Sequence, residues 1–161
     1  MSEVSVHPLR VVGVRVELPT NSPVVLLREE DGVRYLPIWI GAVEASAIAF
    51  QQQGVQTVRP LTHDLLRDVI TALGVRLESV HITEMRDGIF YAELRFSDGV
   101  KVSARPSDAI ALALRCEVAI LGTDSVLDAY GIEMPDEQND EVERFREFLD
   151  NVSPEDFAAD G

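Results

Sequence analysis

Residues Ala109 to Leu114 (Ala-Ile-Ala-Leu-Ala-Leu) form a run without a single polar side chain. A helix that is apolar on every side is buried on most sides. Its start is well marked. Pro106 suits the first turn, Asp108 lies near the positive end, and Ser107 or Arg105 serves as the cap. The chain has 161 residues, which is long enough for one well-buried core and short for two. The rest of the sequence must therefore supply the layers around this helix.

Most of those layers read as strands. Val11 to Leu18 alternates, with Val12, Val14, Val16 and Leu18 on one face and Arg15 and Glu17 on the other, as a half-buried strand does. Val24–Leu27 and Val33–Ile40 are β-rich runs around Glu30-Asp31-Gly32, a hairpin pattern. Ala42 to Gln53 is alanine-rich and helical, with Gly54 as its stop. Pro60 and Thr62 open a second helix, with Thr62 suited to the N-cap. In it Leu65, Leu66, Val69, Ile70 and Leu73 form one stripe, and His63, Asp64, Arg67, Asp68 and Thr71 occupy the other side. Leu77–Glu84 and Ile89–Phe96 form an antiparallel pair around Arg86-Asp87-Gly88, and Val100–Ala104 adds a strand. A three-residue loop, Ser97 to Gly99 with Gly99 left-handed, keeps the apolar faces in phase. It pairs Phe96 with Val100 and Leu94 with Val102, and it sets Glu93 opposite Ser103 and Arg95 opposite Lys101. Ala119–Leu121 reads as a short strand, and Ser125–Ala129 as a helical turn ended by Gly131.

The predicted class is α+β: mainly antiparallel sheet packed with three principal helices. Asp31-Gly32-Val33-Arg34 resembles Asp98-Gly99-Val100-Lys101, and each leads through a strand into Ala-Ile-Ala at 47–49 and 109–111. This points to a duplicated hairpin–helix unit. Residues 1–132 form the expected domain. Residues 133–161 form an acidic tail with Val142, Phe145, Phe148 and Leu149 at helical spacing, suited to packing on the domain or on a protein partner.

Charge separates the two parts. The formal net value is −14; residues 133–161 hold eleven acids and two arginines (−9), and residues 1–132 seventeen acids and twelve bases (−5). A global basic patch, the usual footprint of a nucleic-acid binder, is missing. Only a local arginine cluster could meet phosphate. The single cysteine, Cys116, cannot form an internal disulfide. No leader pattern and no apolar run approaching the ~20 residues of a membrane span is evident. The expected location is cytoplasmic.

The candidate chemistry gathers at two helix starts. There is no phosphate-cradling glycine loop and no zinc spacing, with one cysteine and scattered His7, His63 and His81. Asp64 and Asp68 are four apart on one helix face, where carboxylates could hold Mg²⁺ or Mn²⁺; a solvated face is the alternative. His63 beside Asp64 at a helix start could act as a general base toward water, or these residues could simply cap the helix. His81 reads as an ordinary polar-face residue, and Trp39 as core. Arg59 and Arg105 each precede a proline that opens a helix, where an anion would meet a bidentate fork. Structural ion pairs, Arg105 with Asp64 or Arg59 with Asp108, would use the same residues.

Three ordered stretches carry a resemblance: Leu36-Pro37-Ile38-Trp39-Ile40-Gly41 with Glu44-Ala45, Arg59-Pro60-Leu61-Thr62-His63-Asp64, and Arg105-Pro106-Ser107-Asp108-Ala109-Ile110-Ala111-Leu112-Ala113. Together they resemble the bifunctional nuclease family over about residues 8–132. The resemblance implies an α+β fold with antiparallel strands, hydrolysis of DNA and RNA, and association as a homodimer. In that reading Asp64 and Asp108, with Glu44, would bind a divalent metal. His63 would activate water, with Asp64 and Asp108 as its catalytic company, and Arg59 and Arg105 would hold phosphate. Many relatives carry an acid where this chain has Ser103, which weakens the catalytic reading. A non-enzymatic regulatory or protein-binding module with a structural Arg–Asp network is the alternative.

Overall fold

The computed structural model describes residues 5–17 and 22–133. The acidic tail, apart from Glu133, lies outside them. Among the described residues, eight strands form one sheet: β1 (Val6–Glu17), β2 (Ser22–Glu29), β3 (Arg34–Trp39), β4 (Leu77–Arg86), β5 (Ile89–Phe96), β6 (Lys101–Ala104), β7 (Ala119–Thr123) and β8 (Ile132–Glu133). The helices are α1 (Ala42–Gln52), α2 (Thr62–Ala72), α3 (Pro106–Cys116) and α4 (Asp124–Tyr130). The order across the sheet is β6-β5-β4-β7-β1-β2-β3-β8, and every pairing is antiparallel except β4 with β7. The α+β expectation holds.

Read outward from β7, the order shows one arrangement twice. Three strands lead into α1 on one side (β1-β2-β3) and three into α3 on the other (β4-β5-β6). The repeat is larger than the hairpin–helix unit seen in the sequence, because each half also contains a leading strand. The alternation in β1 began only at Val11, yet the strand starts at Val6. Residues Val6 to Leu9 are recruited by β7, a tertiary pairing that no local pattern announces.

Local chemistry sets the turns. Asp87 and Gly88 both take positive φ (55° and 79°), so a two-residue turn joins β4 to β5 with Arg86 facing Ile89. Gly99 takes φ 88°, and β5 and β6 pair Leu94 with Val102, Glu93 with Ser103 and Arg95 with Lys101. Phe96 donates its amide to the Val100 carbonyl at 3.0 Å, so the three-residue loop and its register hold.

One face of the sheet takes α1, α3 and α4, and Ala109 to Ala113 are fully buried there, as their composition demands. The second helix departs from expectation. An amphipathic helix ordinarily turns its apolar stripe inward, but α2 packs chiefly on α3 and leaves Leu65, Leu66, Val69 and Leu73 exposed, Leu73 by 75%. Of the stripe only Ile70 is buried, while His63, from the polar side, is 7% exposed. The polar side has partners inside the molecule, and they decide the rotation. The helix also starts one residue earlier than expected, at Thr62 itself. Leu61 is the N-cap, because Asp64 Oδ2 accepts the Leu61 amide at 3.0 Å.

Candidate active site

The repeat brings the starts of α1 and α3 together, and α2 lies across α3. Between these helices and β6 is an open cavity of about 1030 Å³, at the upper end of what small-ligand sites occupy. Its apolar wall includes Val43, Phe50, Leu66 and Leu94, and its polar wall Glu44, His63, Ser103, Arg105 and Asp108.

Asp108 is the hub. Its Oδ1 lies 2.9 Å from His63 Nε2, and its Oδ2 accepts from Arg105 Nε at 3.0 Å and Nη2 at 2.8 Å. Arg105 Nη2 also donates to Glu44 Oε2 at 3.1 Å. Glu44 and Asp108 are each the third residue of the helix that ends a three-strand unit, so two equivalent acids converge on one guanidinium. The fork on Asp108 raises Arg105 further above its ordinary range against the opposing effect of burial, with the Glu44 charge adding to the rise.

Asp64 stands apart from this cavity. Its Oδ1 accepts from Arg115 Nε at 2.6 Å and its Oδ2 from the Leu61 amide. Burial pushes its carboxyl upward, but the Leu61 amide and the Arg115 guanidinium outweigh that and hold it below the ordinary range. Arg115 is 2% exposed at the side chain, and its remaining nitrogens donate to the carbonyls of Ala111 (2.9 Å) and Ala47 (3.0 Å). It thereby pins α1, α2 and α3 together. Neither expected ion pair forms, since Arg105 takes Asp108 and Glu44 while Asp64 takes Arg115. The sequence reading passed over Arg115. The available signal was an arginine one turn after Ala111, directly following the wholly apolar run Ala109–Leu114, which has to find a partner inside.

The other singled-out residues fall elsewhere. Arg59 is exposed and lines neither this cavity nor the smaller polar hollow of about 410 Å³ that holds Asp64, Arg67 and Asp68. Asp68 pairs with Arg67 at 3.2 Å. Glu93 faces Ser103 as the register required, but its carboxylate accepts from Arg95 Nε at 2.9 Å and does not line the cavity. His81 is 5% exposed rather than on an open polar face. Burial pushes its pKa down, and its Nε2 lies 3.0 Å from Ser79 Oγ. Cys116 is half-buried, and burial pushes its thiol up.

The expected metal set of Asp64, Asp108 and Glu44 does not come together. Among the described residues, the group with three ligand atoms within 4.8 Å of one another is His7, Glu29 and Asp31. There Glu29 is already forked by Arg34, with both nitrogens at 3.0 Å. In the cavity, Glu44 and Asp108 share a guanidinium, and a cation would have to take their oxygens from it.

The family model described as the bifunctional nuclease domain matches residues 25–135, which contain Glu44, His63, Asp64, Arg105, Asp108 and Arg115. An uncharacterized protein of Mycobacterium tuberculosis is 56% identical over 160 residues, covering 94% of this chain and 98% of that protein. Bifunctional nuclease 2 of Arabidopsis thaliana is 31% identical over 112 residues, 64% of this chain and 34% of its own. Bifunctional nuclease 1 of Oryza sativa subsp. japonica is 26% identical over 118 residues, 69% and 35% respectively. The chain spans about a third of the length of these plant relatives. No helix among the described residues is long and apolar enough to cross a membrane. On the family match and the shared length with the mycobacterial relative, the chain belongs to the bifunctional nuclease domain family.

Proposed function

We propose that the chain is a nuclease that hydrolyses phosphodiester bonds of DNA, RNA or both in the cavity between α1, α2 and α3. The observation that carries this reading is the His63–Asp108 contact of 2.9 Å on the cavity wall, with Arg105 on the same carboxylate. The carboxylate can only accept, so it fixes the proton on Nε2 and leaves Nδ1 with the lone pair. Nδ1 then takes a proton from water as that water attacks phosphorus, and returns it to the departing oxygen. Arg105 supplies positive charge beside that centre, and the Glu44 contact restrains its guanidinium. Asp64 and Arg59 have no direct part; Asp64 holds α2, and so His63, in place. A divalent ion such as Mg²⁺ or Mn²⁺ would be held by Glu44 and Asp108 with Arg105 displaced.

Purified protein should cleave single-stranded nucleic acid, and His63→Gln should abolish cleavage while leaving the thermal transition in place. Retained cleavage by that variant would point to a contaminating nuclease and sink the reading. Repeating the assay with a chelator decides the metal. Undiminished activity would leave the metal without a role.

A second reading draws on the saturation of the network, in which Asp108 engages His63 and Arg105, and Asp64 engages Arg115. Such a network could serve a non-enzymatic regulatory or protein-binding module, and it would show as a folded protein inert toward every nucleic acid. A cytoplasmic location accompanies either reading.

The homodimer implied by the family is assigned to the exposed face of α2. Leu65, Val69 and Leu73 are four residues apart and form one ridge, which can meet its own copy across a two-fold axis. Leu65→Glu with Leu73→Glu should halve the mass measured by light scattering. An unchanged mass would place the contact elsewhere.

A further inference from the structure

The helices α1, α3 and α4 lie on one face of the sheet, yet part of the opposite face is also shut off from water. On it Val24 and Leu26 are 0% exposed, and Trp39 4%. These residues alternate along β2 and β3 with Val25, Leu27 and Ile38, which belong to the helix-side core, so they point away from the helices. Among the described residues the outer cluster consists of strand residues alone, and a single layer of strands cannot bury its own outer face. Another layer covers it.

We propose that this layer is the chain's own acidic C-terminal segment, residues 134–161, lying across the outer face of β3, β2 and β1. Three observations select this occupant over a second copy. The first is where the chain goes. Ile132 pairs with Tyr35 and packs against the outer cluster, so the described chain ends at the rim of the face. The second is reach. Crossing from β8 to β1 spans three strand spacings, roughly 15 Å, which about ten helical residues cover. The 28 residues of 134–161 are therefore ample to cover the face, and Val142, Phe145 and Phe148 are among the large apolar side chains they bring to it. The third is charge. Arg10 and Arg28 stand directly opposite each other on adjacent strands, where like charges destabilise the pair. Neither is without a partner, and Arg28 also lies 5.5 Å from the centre of the Tyr35 ring. Residues 134–161 hold ten carboxylates against two arginines, so a segment rich in the required charge begins beside a face that presents two facing cations. A second copy of the described domain, at −5 overall, brings no such excess.

Trp39 is the chain's only tryptophan, so its fluorescence reports on this face alone. In the unsubstituted 161-residue chain, its emission should be blue-shifted and poorly quenched by acrylamide. Phe145→Asp with Phe148→Asp should raise the quenching constant several-fold and shift the emission to the red. Unchanged quenching in that variant would overturn the proposal. A second measurement stands even if the variant unfolds. A nitroxide on Phe145→Cys, in a Cys116→Ser background, should broaden the Trp39 indole proton resonance within the same chain. No broadening would overturn the assignment. So would broadening seen only when spin-labelled and isotope-labelled chains are mixed, since a second copy would then be the cover.

Discussion

Arg115→Met is expected to destabilise the protein by about 3–5 kcal/mol, the cost of removing one partner from a buried ion pair. Methionine fills much of the volume but leaves Asp64 without its cation and leaves the carbonyls of Ala47 and Ala111 without the guanidinium. For a chain of this length each kcal/mol corresponds to roughly 2–4 °C, so the melting temperature should fall by about 6–20 °C. The pH dependence identifies the mechanism. Asp64 is held below its ordinary range, because the Leu61 amide and Arg115 outweigh the upward push of burial. A depressed carboxyl contributes stability that is complete above its unfolded pKa and is lost as pH falls through the folded value. The gap between wild type and variant should therefore be widest near neutrality and narrow below about pH 4, near the model-peptide value. Thermal scans of both proteins at pH 7 and pH 3 check this. An equal gap at both pH values would mean that Arg115 acts by packing alone.

Asp108→Asn should do the opposite, sparing the fold and removing the activity. The substitution is nearly isosteric, but the amide carries no charge to anchor Arg105 or to hold the His63 proton on Nε2. Losing a positioned acid–base pair costs about 10²–10⁴ in rate, so kcat/KM for nucleic-acid cleavage should fall by that order. Stability should change by less than about 1 kcal/mol, because Arg105 and Asp108 are partly open to solvent at 42% and 34% side-chain exposure. Asp64→Asn supplies the contrast: a large loss of stability, with activity per folded molecule close to normal. If Asp108→Asn melted early and Asp64→Asn lost only activity, the roles assigned to the two aspartates would be reversed.

Local rules were enough for much of the fold. The β5–β6 register followed from keeping Leu94 and Val102 on one face, and the burial of α3 from the absence of any polar residue between Ala109 and Leu114. The extension of β1 to Val6 was hidden because its cause is β7, more than a hundred residues away in the chain. The rotation of α2 was hidden for a related reason. Its periodicity defines two sides, but which side faces inward depends on Arg115 and Asp108, partners supplied by another helix. The same limit applied to the site. His63, Asp108, Arg105 and Glu44 were legible as residues able to bind an anion or move a proton. Their division into a cavity cluster and a separate Asp64–Arg115 clamp required distances.

The repeated three-strand unit has a consequence for what substitution can do. Glu44 and Asp108 hold equivalent places in the two units, whereas the residue that caps each helix differs, Gly41 in the first and Arg105 in the second. A single cation, supplied by the second unit, therefore serves both acids. Neither half can drift freely at these positions, since each now supplies the counterpart that the other lacks.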